Sequence, residues 1–346
     1  MVIYSHNVVK DLDVFVGSLA CDRVFLLMDE TTASLCKPLL EGSQIVAKAQ
    51  SIVIKPTDKH KTIETLSDVW KALVQGGASR KSVLINLGGG MVTDLGGFAA
   101  ATFKRGIRYV NIPTTLLSMV DAAVGGKTAI NFMGLKNEIG SFYESQAVII
   151  STDFLKTLDA ENVRSGYAEM LKHALLSNEK MWHRHLAFDL DHPDFSLLQE
   201  MVKESIRVKS AIVQEDPHEK GLRKALNLGH TVGHAFESFA MQRNTPLLHG
   251  YAVAFGLVCE LYLSCNLRAF PENEMRSAWN YVRSNYGTFA FDCKDYEALI
   301  ALMQHDKKNQ GGEINFTLLD QVGQLHLDSH ATKEQIKEMF DFFTNV

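Results

Sequence analysis

Through the first half of the chain, short apolar runs alternate with segments of helical period. VFLLMD (24–29) is an apolar run closed by an acidic residue, as in a strand buried on both faces. TTASLCKPLLEG follows from Thr31 with helical spacing and ends at Gly42, a residue suited to the left-handed turn that closes a helix. IVIKP (52–56) predicts a second strand, residues 62–73 a helix, and SVLINLGGG (82–90) a third strand running into a glycine turn. Strands alternating with helices predict an α/β fold, a Rossmann-like doubly wound parallel sheet.

From about residue 151 the texture changes. FLKTLDAENVRSGYAEMLKHALLS, SLLQEMVKESIRVKSAIVQED, TVGHAFESFAMQ, YAVAFGLVCELYLSCNL and DYEALIALMQHDKK all carry a helical period. INFTLLD and QLHLD near the end read as one small hairpin. The expected organisation is an α/β domain over 1–150 and a mostly α-helical C-terminal domain over 151–346, without internal repeat or low-complexity tract.

Bulk properties narrow the picture. A chain of 346 residues, 46% hydrophobic and 22% charged, fits two ordinary globular domains. No uninterrupted apolar run reaches the ~20 residues of a bilayer span, so no membrane partner is expected. The start, MVIYSHNVVKDLD, lacks the basic and apolar regions of a signal peptide. Five scattered cysteines without a C-x-x-C pair read as reduced thiols, which points to the cytoplasm. A net charge of -5 argues against a nucleic-acid partner, though local lysines and arginines can still converge on a small anion.

Two stretches carry candidate binding chemistry. INLGGGMVTDLGGFAAATF places glycines between a strand and a small-residue helix, where backbone can approach a pyrophosphate and the helix N-terminus favours its charge. The spacing is neither G-x-G-x-x-G nor the P-loop pattern. NIPTTLLSMVDAAVGGKTAINFMGLKNEIGSF (111–142) reads as a polar-rich loop on a rigid scaffold, with Thr114, Thr115, Asp121, Lys127, Lys136 and Asn137 available to a ligand.

A third stretch, LNLGHTVGHAFE (226–237), sets His230 and His234 four apart, on one face of a helix. Thr231 follows His230, so the base of the H-E-x-x-H proteases is missing. A catalytic zinc takes about three protein ligands and keeps one position open. Glu169, His173, Glu237 and His249 are the further candidates, and spacing leaves open which imidazoles bind.

The ordered motifs GGGMVTDLGGF, FKRG, PTTLLSMVDAAVGGKTAIN, GLKNEIGSF, YAEMLKHALL, GLRKALNLGHTVGHAFE and LLHGYAVAFG closely resemble those of the 3-dehydroquinate synthases, members of the sugar-phosphate cyclase superfamily. The resemblance is strong from about residue 82 to 260. It implies a homodimeric, NAD- and metal-dependent lyase that converts 3-deoxy-arabino-heptulosonate 7-phosphate, a phosphorylated sugar acid, to 3-dehydroquinate and phosphate on the route to aromatic amino acids. The implied steps are oxidation of a ring hydroxyl by NAD, phosphate elimination, return of the hydride, ring opening and aldol closure.

By the same resemblance, Glu169, His230 and His249 hold Zn2+ or Co2+, while His234 faces the substrate. The implied substrate set is Arg105, Lys127, Asn137, Lys172, Lys209, Arg223, Asn227, His234 and one of Lys307 or Lys308, with Lys307 favoured. Arg105 is the position that reaches across from the other subunit, and Glu219 matches an acidic family position. The implied NAD set is Asp29, Gly88, Gly89, Asp94, Thr114, Thr115, Asp121, Lys136 and Thr157.

The chain departs from the family at KPTDKHK (55–61), where a proline-glycine-glutamate-x-x-lysine loop is usual and the glutamate is missing. The strand before VFLLMD also looks abbreviated. Among rivals, a sister cyclase acting on a sugar phosphate without a carboxylate would not need the Arg223, Asn227, Lys127 and Asn137 complement. A metal-dependent polyol dehydrogenase would need fewer cations still and would release NADH. A catalytically inert scaffold on this fold would not need three intact metal ligands.

Overall fold

The computed structural model describes residues 1–133, 135–304 and 314–345. It divides into two compact units, Met1–Asp159 with Phe195–Ile206, and Ala160–Asp194 with Arg207–Val346.

The first unit is built from β1 (Val2–Tyr4), α1 (Val8–Ser18), β2 (Val24–Asp29), α2 (Glu30–Leu35), α3 (Gln44–Lys48), β3 (Gln50–Ile54), α4 (Ile63–Gln75), β4 (Val83–Gly88), α5 (Gly90–Thr102), β5 (Arg108–Pro113), β6 (Lys127–Phe132), β7 (Leu135–Phe142) and β8 (Ala147–Ile150). Six strands form a sheet in the order β1-β8-β5-β4-β2-β3, every neighbouring pair parallel. All six residues of β4 are buried, which is why its sequence runs apolar without alternation. Leu66, Val69 and Leu73 of α4 pack with Phe25, Leu27 and Leu84 of the sheet in one core.

The chain differs locally from the sequence expectation. Pro38 cannot continue a helix, so the segment after Thr31 splits into α2 and a tight turn at Lys37–Leu40. The polar stretch 111–142 is not a loop. It closes β5, makes a π-type turn at Ser118–Ala122, and folds into the antiparallel β6–β7 hairpin. The short β1 pairs with β8 at the sheet edge.

The second unit holds α6 (Ala160–Leu175), α7 (Glu179–Leu186), most of the second half of α8 (Phe195–Glu215), α9 (His230–Gln242), α10 (His249–Arg268), α11 (Glu272–Tyr286), α12 (Tyr296–Gln304), the β9 (Asn315–Gln321) and β10 (Gln324–His330) hairpin, and α13 (Lys333–Asn345). The start of α8 groups with the first unit, where Thr152 Oγ1 donates to Gln199 Oε1 at 2.9 Å. Helix α10 packs against α6, α9, α11, α13 and β9. It is 20 residues long and apolar enough to cross a membrane by length and composition, yet 72% of that stretch is buried. Its apolarity is that of a central core helix.

Tight packing under the glycine turn makes one stability prediction. A Cβ at Gly96 would lie 2.1 Å from Oδ1 of buried Asn86, whose Nδ2 donates to Asn111 Oδ1 at 2.9 Å. Gly96→Ala should therefore lower the urea midpoint by an amount equivalent to about 1–3 kcal/mol of overpacking, with an unchanged slope. A wild-type midpoint would show that Asn86 moves aside freely.

Candidate functional site

In the first unit the sheet order reverses between β2 and β4, and the carboxyl ends of those strands are Asp29 and Gly88. Ligands of open parallel sheets bind at such a switch point. Helix α5 starts there with Gly89 as its cap residue and no side-chain cap, so its first N–H groups remain available to an anion. Close approach, rather than a left-handed backbone, requires the glycines: a Cβ at Gly88 would meet Val92 at 2.6 Å, and one at Gly89 would meet Thr115 at 3.0 Å. Thr114 follows β5 and donates its N–H to Gly88 O at 3.0 Å. Thr157 lies 3.5 Å from the Cys36 thiol, which also neighbours Thr114. Asp29, Gly88, Gly89, Thr114, Thr115 and Thr157 thus cluster at the strand ends. Asp29 additionally caps α2 by accepting the Thr32 N–H at 2.8 Å.

Buried Lys61 joins two more of the expected residues. Its ammonium donates to Asp94 Oδ2 at 2.6 Å and to Asn137 Oδ1 at 2.5 Å. An ammonium can only donate, so the Asn137 oxygen must face it and the amide NH2 turns outward. Asn131 secures the arrangement. Its side-chain NH2 donates to Asp58 O and Oδ2 at 3.1 and 3.0 Å, and its Oδ1 accepts the Asn137 N–H at 2.9 Å. Asn137 itself sits at φ +52°, a left-handed conformation asparagine tolerates. Lys127 and Lys136 belong to the same hairpin, and Asp121 to the π-type turn. Arg105 stands apart, past the far end of α5 and about 20 Å from the glycine turn by helix rise.

In the second unit, ligand atoms of Glu169, His230 and His249 all lie within 4.8 Å of one another. His230 Nδ1 is 3.1 Å from the Leu228 carbonyl, and His249 Nδ1 is 3.1 Å from Glu237 Oε2. Both partners accept, so both rings carry their proton on Nδ1. Their Nε2 atoms face Glu169 Oε1 at 3.3 and 3.4 Å. Two imidazole lone pairs and a carboxylate oxygen cannot crowd together without a positive charge among them.

Part of that charge comes from Lys172, one turn along α6, which lies against Glu169 Oε2. Neither Glu169 oxygen, however, receives a well-aligned hydrogen bond. Burial alone would raise the Glu169 carboxyl, but Lys172 and His230 hold it well below its usual range. His230 is pushed down to about 3 by burial, with Lys172 adding to it. At His249 burial is outweighed by the Glu237 charge, and the ring is raised to about 10, so without a cation the shared demand falls on a proton there. One carboxylate and two imidazoles are the three protein donors a catalytic zinc takes, so Glu169, His230 and His249 would fit such an ion.

His234 is one turn along α9, its ring centroid 5.3 Å from that of His230. It forms a second close group with Glu237 and His249. Glu237 Oε2 is already committed to His249 Nδ1, which favours the Glu169 group as the metal centre. Lys209 and Arg223 are buried. Arg223 is shaped by its loop: Asp216 accepts the Lys220, Gly221 and Arg223 N–H groups at 3.0, 2.6 and 3.1 Å, and the guanidinium donates to Pro217 O at 2.7 Å. Asn227 donates to Glu219 Oε1 at 3.3 Å. Lys307 and Lys308 lie outside the described residues.

Glycines let the ligand-bearing helices touch. A Cβ on Gly256 of α10 would lie 2.0 Å from Gly229 O and 2.8 Å from Gly233 N at the start of α9. A Cβ on Gly250 would lie 1.7 Å from Ser165 O of α6. Sequence reasoning missed Lys61, Asn131 and Glu260. Of these, Lys61 stands at the lysine position of the 55–61 loop and Glu260 is a lone acid within an apolar helix that must be paired if buried, whereas Asn131 carries no sequence signal.

Residues 51–165 match the N-terminal family model of 3-dehydroquinate synthase, and residues 166–309 match the C-terminal one. A 3-dehydroquinate synthase of Parabacteroides distasonis is 51% identical over 342 residues, covering 99% of this chain and 97% of that protein. One of Leptospira interrogans is 40% identical over 339 residues, covering 96% and 92%. Among solved structures, a 2-deoxy-scyllo-inosose synthase complexed with carbaglucose-6-phosphate, NAD+ and Co2+ superposes with a TM-score of 0.86 at 21% identity, covering 99% of this chain and 96% of that one. The 2-epi-5-epi-valiolone synthase of Streptomyces hygroscopicus with NAD+ and Zn2+ bound gives 0.85 at 24% identity, covering 100% and 96%. These two likenesses establish the shared fold.

A methyl group at Gly256 meets backbone that no rotamer change can move. Gly256→Ala should cost at least the ~1–3 kcal/mol of ordinary overpacking and should abolish stoichiometric zinc binding, read by melting and by elemental analysis. Gly17→Ala in α1, with nothing within 4 Å of its Cβ, should leave zinc binding intact and stabilise by about 0.4–1 kcal/mol. Full zinc occupancy in the Gly256 variant would show that the α9–α10 contact does not set the ligand geometry.

Proposed function

Because the chain belongs to the 3-dehydroquinate synthase family, we propose that it acts as a lyase on 3-deoxy-arabino-heptulosonate 7-phosphate, releasing phosphate and forming 3-dehydroquinate. The observation that carries the metal-dependent part of this reading is the convergence of Glu169, His230 and His249 on a point that demands positive charge. In the proposed reaction a ring hydroxyl of the substrate becomes a ketone, which acidifies the adjacent C–H and allows phosphate to leave. The ketone is then reduced, the ring opens, and an intramolecular aldol step closes the carbocycle. Bound NAD supplies the transient hydride acceptor, and a bound zinc or cobalt ion supplies a Lewis acid for the alcohol and the ketone.

The chain's own residues position and neutralise. We assign the metal to Glu169, His230 and His249. The NAD pyrophosphate is assigned to the uncapped start of α5 at Gly88 and Gly89, with Asp29, Asp94, Thr114, Thr115, Asp121, Lys136 and Thr157 around the cofactor. A dianionic phosphate and a carboxylate call for fixed cations and amides. Lys172, Lys209 and Arg223 are buried cations of that kind, with Lys127, Asn227, His234 and Lys307 completing the substrate set. Lys61 turns the Asn137 amide so that its NH2 serves as a donor. Glu237, by holding the Nδ1 proton of His249, keeps Nε2 free to ligate.

Arg105 is assigned to the site of a second copy in a homodimer. The exposed apolar residues Phe132, Met133, Leu135, Ile139 and Phe142 of the β6–β7 hairpin support an association of copies. All five cysteines are free thiols, which suits a reducing cytoplasm.

Phosphate release from 3-deoxy-arabino-heptulosonate 7-phosphate, with NADH absorbance followed in parallel, tests the reading. Release should depend on added NAD, stop on chelation, return with zinc or cobalt, and proceed without net NADH. His249→Ala should lose metal and activity together. Steady NADH accumulation on a simple polyol, or turnover only of sugar phosphates lacking a carboxylate, would place the chain on another branch of the fold.

A further inference from the structure

We propose that Glu260 is a positioning residue for the metal centre, whose carboxylate offsets the positive N-terminal end of α9 so that His230, the first residue of that helix, can hold a cation. The proposal rests on the ligand assignment above. Glu260 lies on α10, is fully buried, and reaches across to the neighbouring helix. Its Oε2 accepts the Gly229 N–H at 2.7 Å, and its Oε1 accepts the N–H groups of Thr231 and Val232 at 3.1 and 3.3 Å. Those donors are the cap and the second and third residues of α9, the groups that carry the positive end of a helix dipole. The cap residue, Gly229, sits at φ +78° and has no side chain with which to do this itself.

The arrangement answers an electrostatic difficulty. Helix N-termini attract anions and repel cations, with about half an elementary charge at the end. His230 nevertheless presents its Nε2 from the first position of α9. A neutral cap would satisfy the N–H groups but leave the field, whereas a carboxylate does both. Glu260 also fixes the entry of the chain into α9 beside Leu228, whose carbonyl orients the His230 ring. Because it sits between two ligand-bearing helices, it sets the position of His230 relative to His249.

Cobalt(II) titration of the apoprotein, monitored by its visible absorption and by competition with a chromophoric chelator, tests this without turnover. Glu260→Gln removes the charge and keeps one acceptor oxygen. It should weaken cobalt binding roughly 10- to 100-fold, the range seen when a partner of a ligand is lost. Glu260→Asp keeps the charge and should lose less affinity than the glutamine variant. A glutamine variant that melts early yet binds cobalt as tightly as wild type would reduce Glu260 to a structural cap and overturn the proposal. Equal losses in the two variants would also overturn it, since charge would then be irrelevant. If the glutamine variant does not fold, the aspartate variant carries the test: a loss of cobalt affinity of roughly 10-fold or more despite the retained charge would overturn the proposal, and a smaller loss supports it. His249→Ala is the control for the underlying reading: wild-type cobalt affinity in that variant would remove the ligand assignment itself, whatever Glu260 does.

Discussion

Backbone contact between helices is the constraint on which the second unit depends. Helices ordinarily pack 8–10 Å apart because side chains separate them. Here Gly256 admits the Gly229 carbonyl and the Gly233 amide, and Gly250 admits the Ser165 carbonyl, so α10 touches both α9 and α6 through main chain. Each of the three helices carries one donor of the charge-demanding group: Glu169 on α6, His230 at the start of α9, His249 at the start of α10. Main-chain contact is stiff, since it has no rotamers to relax. The relative placement of the three donors therefore depends on these four glycines, and Glu260 and the polar atoms that orient each ring act within the contact they permit.

The sequence exposed what depends on local pattern and hid what depends on long-range packing. Strands β2 and β4 were legible because burial on both faces makes them continuously apolar. The β6–β7 hairpin was not, because nearly all of β7 is exposed and its polar residues read as a loop. For the metal, spacing offered His230 and His234 as a pair on one helical face, while the donors that converge with His230 come from two other helices, α6 and α10. Only the resemblance of several ordered motifs to a known family gave the two imidazoles different expected roles. Asn131 belongs to no period or motif and Lys61 only to the divergent 55–61 loop, and their link to Asp94 and Asn137 exists only once that segment lies against the hairpin.

Among the described residues, the α-helices α5 and α9 both begin at a glycine cap and receive opposite treatment. At α5 the cap is Gly89, no side chain satisfies the first N–H groups, and the positive end stays available. That is the arrangement an anion such as a pyrophosphate needs. At α9 the cap is Gly229, and a buried carboxylate from another helix occupies the N–H groups that an anion would otherwise take. In each case the glycine serves close packing, at Thr115 for one and at Leu257 and Gly256 for the other, and so cannot itself contribute a cap. The polarity of each site is consequently decided by what a distant residue does. A site for negative charge follows from leaving the helix end open, and a site for positive charge follows from closing it with an acid. Since a buried acid is costly unless fully hydrogen-bonded, its presence at α9 is explained by the three N–H groups it accepts and by the cation its charge favours there.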